Sequence, residues 1–296
     1  MKHLLIDFSL IAHSMLFPMK EQLAIGGYDI LKHMLLKSIL SSVNQFKPNR
    51  VWVCLDHGKS WRKEFSASYK AHRKEAREKQ SVESGGQINW EEFYRVINET
   101  TRDMKDNFPF HVIGCDTIEA DDIIAHIVKT SSPQDENIII TRDGDYVQLL
   151  YYPNTKIYNP IDRKYITCEN PIFALQQKIC MGDKSDNILP IRPRFGEKTA
   201  EKFIMAGELD KLLEQAQKDI MEFGKPQDPL AEAYFKNRKM IDMSQIPPTL
   251  VKIIESAIEN YKMSDGKGLL RYFVTSELRE LTENVSRIRT TLTGLS

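Results

Sequence analysis

Four short apolar runs in the first half of the chain each end in a carboxylate. They are His3-Leu4-Leu5-Ile6-Asp7, Val51-Trp52-Val53-Cys54-Leu55-Asp56, Phe110 to Asp116 and Asn137 to Asp143. Their hydrophobicity is continuous rather than alternating, which marks strands buried on both faces, as in a parallel sheet covered by helices. Helical patterns lie between them at 28–46, 90–107 and 119–130, and Asn89 with Glu92 forms a capping box for the second. Strand and helix alternate, so the pattern predicts an α/β fold with a mostly parallel central sheet flanked by helices.

The polar segment 57–88 is too long for a simple connection and ends in the turn Ser84-Gly85-Gly86. Read as one helix over 59–79, it carries Trp61, Phe65 and Tyr69 on one stripe and Lys59, Lys63, Lys70, Lys74 and Arg77 opposite. Past residue 187 the strand signals fade and the pattern is mainly helical, with breaks at Gly224-Lys225-Pro226 and Pro247-Pro248. Two parts are therefore expected, 1–182 and 183–296.

With 296 residues and 41% apolar composition, a sizeable core is within reach. No apolar run approaches the ~20 residues that span a bilayer, and Asp7 interrupts the only stretch resembling a signal peptide. A cytoplasmic protein is expected. Cys54, Cys115, Cys168 and Cys180 form no C-x-x-C pair, which argues against zinc or a disulfide framework and for reduced thiols. The net charge is zero, yet Lys59 to Lys79 holds eight Lys or Arg against three Glu. A neutral average hides a basic pole and an acidic one.

The acidic pole carries the chemistry. Asp7, Asp56, Asp116 and Asp143 end buried strands, where ligands bind in open α/β sheets. Denser groups stand beside them: Glu119-Ala-Asp121-Asp122, Asp143-Gly-Asp145 and Asp183-Lys-Ser-Asp186. Packed together, such carboxylates raise one another's pKa values. Hard oxygen ligands in this number suit Mg²⁺ or Mn²⁺, and two such ions ~4 Å apart can clamp a phosphodiester displacement. Each group alone has a plainer reading, as a helix start favoured by the macrodipole, a turn or a cap. Their joint recurrence after strands and at helix starts weakens that reading.

The motifs resemble those of a known family. Ile118-Glu119-Ala120-Asp121-Asp122-Ile123 resembles the E-A-D-D motif of flap endonucleases and of the 5′-nuclease domains of bacterial DNA polymerase I. Asp143-Gly144-Asp145-Tyr146-Val147-Gln148-Leu149 resembles D-x-D-x-x-Q-L, and Gly182-Asp183-Lys184-Ser185-Asp186-Asn187-Ile188 resembles G-D-x-S-D-N-I. Gly196-Glu197-Lys198-Thr199-Ala200 follows as G-E-K-T-A. The match runs in order from Asp7 to about Phe203, and within the family the chain looks most like the ribonuclease H, or 5′→3′ exonuclease, of T-even-like phages.

The resemblance implies a structure-specific 5′→3′ exonuclease and flap endonuclease, hydrolysing DNA and RNA·DNA near free 5′ ends with two Mg²⁺ ions, for which Mn²⁺ can substitute. It places Asp7, Asp56, Glu119 and Asp121 in the first metal site, with Asp143 nearby, and Asp143, Asp145, Asp183 and Asp186 in the second. Asp122 either joins them or orients a ligand or the helix. Segment 57–88 corresponds to a helical arch. Lys70 and Arg73 on it reach the scissile phosphate, Arg62 holds a neighbouring phosphate, and Lys63 and Lys74 contact the nucleic acid. Trp61, Phe65 and Tyr69 are read as packing within the arch rather than as base-stacking platforms.

The region 184–203 corresponds to a helix–hairpin–helix-like DNA-binding motif, with Arg192, Arg194, Gly196, Lys198 and Thr199 against phosphates. It departs from the family's glycine-rich hairpin: Leu189-Pro190-Ile191-Arg192-Pro193-Arg194-Phe195-Gly196 keeps only the last glycine. The role implied is RNA primer removal in replication, by a monomer beside a single-stranded-DNA-binding protein and a sliding clamp. Two rival classes are a non-catalytic, structure-specific DNA-binding protein and a PIN-type single-strand ribonuclease. The first predicts lost carboxylates and the second a much shorter chain.

Overall fold

The computed structural model describes residues 1–16, 18–73 and 88–295. Six strands form one sheet: β1 (Lys2–Asp7), β2 (Arg50–Leu55), β3 (His111–Gly114), β4 (Glu136–Ile140), β5 (Thr155–Asn159) and β6 (Lys164–Ile166). Their order is β3-β2-β1-β4-β5-β6. The first five are parallel and β6 is antiparallel to β5. The four apolar runs became β1 to β4. β5 and β6 were not foreseen, because the exposed Lys156 interrupts the apolar run in β5 and β6 is only three residues and largely exposed.

Continuous hydrophobicity has the meaning expected of it. Leu4 and Ile6 of β1 face one apolar layer with helices Asp29–Phe46 and Trp90–Asn107. Leu5 faces the other, with helices Ala120–Thr130 and Pro248–Glu259. Asn89 does cap the helix Trp90–Asn107, its side chain accepting from the Glu92 amide at 3.1 Å.

A third apolar cluster joins Ile179, Phe203, Tyr234 and Ile241 from the helices between residues 171 and 241, with Phe195 from the turn before helix Glu197–Met205. The chain then returns to the first layer, which takes in Leu269, Phe273, Leu281 and Ile288. Residues 248–292 therefore pack on the sheet's own cores. No helix among the described residues is long and apolar enough to cross a membrane, and the four cysteines are free thiols.

The segment 59–73 is not one helix. Arg62–Phe65 makes one helical turn, Ser66 is extended at φ −149°, Lys70 turns at φ +53°, and His72 and Arg73 are helical again. Ser66 and Ser68 bond each other across this break at 2.9 Å, a local alternative to helical bonding that serine offers readily. Trp61 and Tyr69 are buried, whereas Phe65 is 43% exposed. Lys74 and the rest of the expected arch, through residue 87, lie outside the described residues.

Candidate metal centre

The chain runs outward from β1 through β2 to β3, then crosses back to β4 on the other side of β1, which opens a crevice at the carboxyl ends of β1 and β4. Ile6 and Ile140 are register partners, so Asp7 stands beside the chain that leads to Asp143. Asp7 and Cys54 pair across β1 and β2, which brings Asp56 to the same rim. A cleft of about 400 Å³ opens there, lined by Asp7, Asp56, Glu119, Asp121, Asp143, Asp145 and Asp186, with Lys70 and Arg73 on its wall. Asp183 adjoins it, since Asp145, Asp183 and Asp186 converge within 4.8 Å.

Local structure fixes each carboxylate. Asp7 accepts from the Leu10 amide at 3.1 Å and from the Tyr146 hydroxyl at 3.0 Å. Asp56 accepts from the Ala120 amide at 2.9 Å, capping the helix that carries Asp121. Asp143 caps the turn Gly144–Tyr151 through the Asp145 amide. Asp183 accepts from the Ser185 amide and hydroxyl at 2.7 and 2.6 Å. Gly182 precedes it at φ +69°, where a Cβ would lie 2.4 Å from the Ile188 carbonyl, so only glycine fits that turn. Asp116 stays outside the cleft, where it accepts from the Thr117 amide.

The charges are unevenly compensated. Burial, followed by the charges of Asp56 and Asp143, pushes Asp7 up to about 7. Burial also raises Asp121 and Asp145. Burial would raise Glu119 as well, but Lys70 and Arg62 hold it down at about 2. Glu119 accepts from Ser60 at 2.8 Å, Arg62 at 2.7 Å, Tyr69 at 3.1 Å and, in close contact, Lys70. Arg73 bonds Asp186 at 2.5 Å. The loop carrying both bases is tied to the 183–188 turn, because the Lys70 amide donates to the Asp186 carbonyl and Asn187 donates to the Ser68 carbonyl.

Two expected site residues have other work. Arg62 is 2% exposed, and its guanidinium is committed to Asp122, Glu119 and the Met240 carbonyl. It has no face for a phosphate, which corrects its assignment to nucleic acid. Asp122 is fully buried and accepts from Arg62, Trp61 and the Glu119 amide. It orients the motif helix and is not open to the cleft. Lys63, Arg192, Arg194, Gly196, Lys198 and Thr199 are all exposed, and Arg192 stacks on Phe195 at 4.8 Å. The last five flank the start of helix Glu197–Met205, outside the cleft.

Sequence reading missed Lys178. Its ammonium contacts Asp145 and lies 2.9 Å from Asp183, in the last turn of helix Pro171–Met181 with no motif to mark it.

The donor set fits hard divalent cations. It is made of carboxylate oxygens alone, and Asp121 Oδ1 is buried without a hydrogen-bond partner, an arrangement costly in itself and natural for a metal ligand. Glu119, Asp121 and Asp122 form one convergent group and Asp145, Asp183 and Asp186 another. Asp122 is fully buried, whereas Glu119 and Asp121 line the cleft and are the open members of the first.

Such a rim on a doubly covered parallel sheet defines a divalent-metal-dependent nuclease. The chain belongs to the 5′-3′ exonuclease family: residues 2–174 match the family's N-terminal resolvase-like domain. It is 30% identical to the ribonuclease H of Enterobacteria phage T4, across 95% of this chain and 94% of that protein. It is 24% identical to a 5′-3′ exonuclease of Mycoplasmopsis pulmonis, across 81% and 84%. The fold matches bacteriophage T5 5′-exonuclease with zinc bound, at TM-score 0.66 and 19% identity over 88% of this chain and all of that one.

Proposed function

We propose that this protein is a structure-specific 5′→3′ exonuclease and flap endonuclease that cuts DNA and RNA·DNA near free 5′ ends with two Mg²⁺ ions, for which Mn²⁺ can substitute. The observation that carries this reading is a single cleft in which seven motif carboxylates face Lys70 and Arg73. Asp7, Asp56, Glu119 and Asp121 would hold one ion, with Asp143 nearby, and Asp143, Asp145, Asp183 and Asp186 the other. Bound there, the ions polarise the phosphodiester and lower the pKa of the attacking water.

The chain's own groups do the rest. Lys70 and Arg73 leave their carboxylates for the scissile phosphate and stabilise charge that develops on its oxygens. Tyr146 and the Leu10 amide hold Asp7 in one orientation. The stretch 182–199, through its exposed residues Arg192, Arg194, Gly196, Lys198 and Thr199, holds duplex phosphates as a helix–hairpin–helix-like seat, and Lys63 and Lys74 contact the strand being cut. None of these groups reads base edges, so the substrate is recognised by structure. The likeness to a phage ribonuclease H supports RNA primer removal in the host cytoplasm. In that setting the protein acts as a monomer beside a single-stranded-DNA-binding protein and a sliding clamp.

The test is cleavage of end-labelled flap, nicked duplex, RNA·DNA and single-stranded RNA in Mg²⁺, with Asp143→Asn alongside. We expect cleavage near 5′ ends of the first three, and an Asp143→Asn variant that binds flaps but does not cut. Binding without any cleavage by the unaltered protein favours a non-catalytic DNA-binding protein. A preference for single-stranded RNA favours the PIN-type reading.

A further inference from the structure

The end of helix Pro229–Ile241 touches both carboxylate groups through side chains from distant parts of the chain. Arg62 Nε donates to the Met240 carbonyl at 2.9 Å while its other nitrogens hold Glu119 and Asp122. Gln148 Nε2 donates to the Asp145 carbonyl at 2.8 Å and to the Ile241 carbonyl at 3.2 Å. The Met243 amide donates back to Gln148 Oε1 at 2.8 Å. Residues 240–243 are thereby bonded to the first group on one side and to the second on the other.

One turn earlier in the same helix, Asn237 is 6% exposed. Its Nδ2 donates to the Ile179 carbonyl at 3.0 Å and to the Leu189 carbonyl at 2.8 Å. Ile179 lies on the helix that leads into the turn 182–196, and Leu189 lies within that turn. Apolar packing of Tyr234, Met240 and Ile241 already holds this helix against the third cluster. Packing alone tolerates sliding, whereas directional bonds to main-chain carbonyls fix register, and leaving those carbonyls without donors is costly.

We propose that Arg62, Gln148 and Asn237 are positioning residues that use the end of helix 229–241 as a shared strut, so that duplex held at 182–199 and divalent ions held by the carboxylates bind cooperatively. This rests on the duplex seat proposed above. Duplex pressing on the turn biases the register of helix 229–241, which sets the Met240 and Ile241 carbonyls. Those carbonyls in turn set the positions of Arg62, with Glu119, and of Gln148, with Asp145. Cooperativity of this kind is reciprocal: ions must tighten duplex binding by the factor with which duplex tightens theirs.

The test uses the whole protein and a fluorescent dumbbell DNA, a closed duplex with no 5′ end to offer the cleft. Its affinity is measured by anisotropy in EDTA and in Mn²⁺, for the natural protein, Asn237→Leu and Gln148→Leu. Screening by Mn²⁺ weakens dumbbell binding alike in all three, so the ratio of affinities between variants isolates the coupling. We expect the natural protein to retain about fivefold more affinity in Mn²⁺ than either variant, with affinities in EDTA within about threefold.

Equal ratios in all three proteins overturn the proposal. A merely structural role lowers melting temperature and both affinities together and leaves the ratio unchanged, so it also counts against. A natural protein that fails to bind the dumbbell refutes the duplex seat itself, and flap cleavage in Mg²⁺ then shows whether the nuclease reading stands apart from it. If Asn237→Leu does not fold, Gln148→Leu decides.

Discussion

The ammonium of Lys178 lies 2.9 Å from Asp183 Oδ2, among the three carboxylates that converge to form the second group. It also contacts Asp145. Burial alone would lower the Lys178 pKa, but Asp145 and Asp183 raise it, so the side chain stays charged. A monovalent cation on a flexible stem thus stands where a dication is expected. Lys178→Met should lower the melting temperature of the metal-free protein and tighten Mn²⁺ binding by roughly tenfold, or about 1.4 kcal/mol. Melting curves across a Mn²⁺ titration read both effects. Weaker Mn²⁺ binding by the variant would mean that Lys178 supports the ion instead of competing with it.

Arg62 is a structural cation, and its removal should show in stability before activity. It is buried against Asp122, which is fully buried too. Breaking such a pair from one side leaves a buried charge uncompensated, at a cost of about 3–5 kcal/mol. Arg62→Ala is expected to lose that much in denaturant unfolding, and Arg62→Lys to recover little, since an ammonium cannot reproduce the fork that spans Asp122, Glu119 and the Met240 carbonyl. Unchanged unfolding with weakened DNA binding would return Arg62 to the phosphate role.

The difference between Arg62 and the carboxylates shows what a sequence can reveal here. β1 to β4 were legible because runs such as Leu4-Leu5-Ile6 fill two apolar layers at once, leaving no polar face to confuse the pattern. Asp7, Asp56 and Asp143 were legible because a strand end fixes where the next side chain goes. Arg62 was misplaced because a buried arginine and a solvated one look alike in a basic run. Its burial depends on Met240, 178 residues away. Lys178 went unseen for a related reason: one basic residue within an otherwise unremarkable helix carries no signal until the fold brings Asp145 beside it. The break at Ser66 escaped because the four-residue spacing of Trp61, Phe65 and Tyr69 suits a helix, although only the first and last of them are buried.

Lys70 offers a kinetic prediction. It takes φ +53°, an uncommon conformation for a residue with a side chain, and the bond from its amide to the Asp186 carbonyl holds it there. Strain kept at such a point aims the ammonium at Glu119 on the cleft wall. Lys70→Met should lower kcat for flap cleavage by roughly 10²- to 10³-fold while leaving KM within a few-fold. Single-turnover assays in Mg²⁺ check this. A change confined to KM would make Lys70 a binding residue only.

The pH dependence of stability should carry a signature of His111, far from the carboxylates. Its ring packs 4.4 Å from Trp52 and 5.5 Å from Tyr261, and its Nδ1 is buried without a hydrogen-bond partner. Burial, then the charge of Arg50, pulls its pKa from 6.5 down to about 4. The unfolded chain therefore takes up this proton at a higher pH than the folded protein does. Stability from this group is fully present above pH 6.5 and drains away as pH falls towards 4. Asp7 acts in the opposite sense over much of that range, because its raised pKa favours the folded state as pH falls. The informative quantity is therefore the difference between two proteins. His111→Phe keeps an aromatic ring against Trp52 and cannot titrate. Melting temperatures at pH 7.5 and 4.5 should fall further for the natural protein than for the variant, with Trp52 fluorescence following the same transition. Equal losses in both would show that the ring is protonated as easily in the fold as in water.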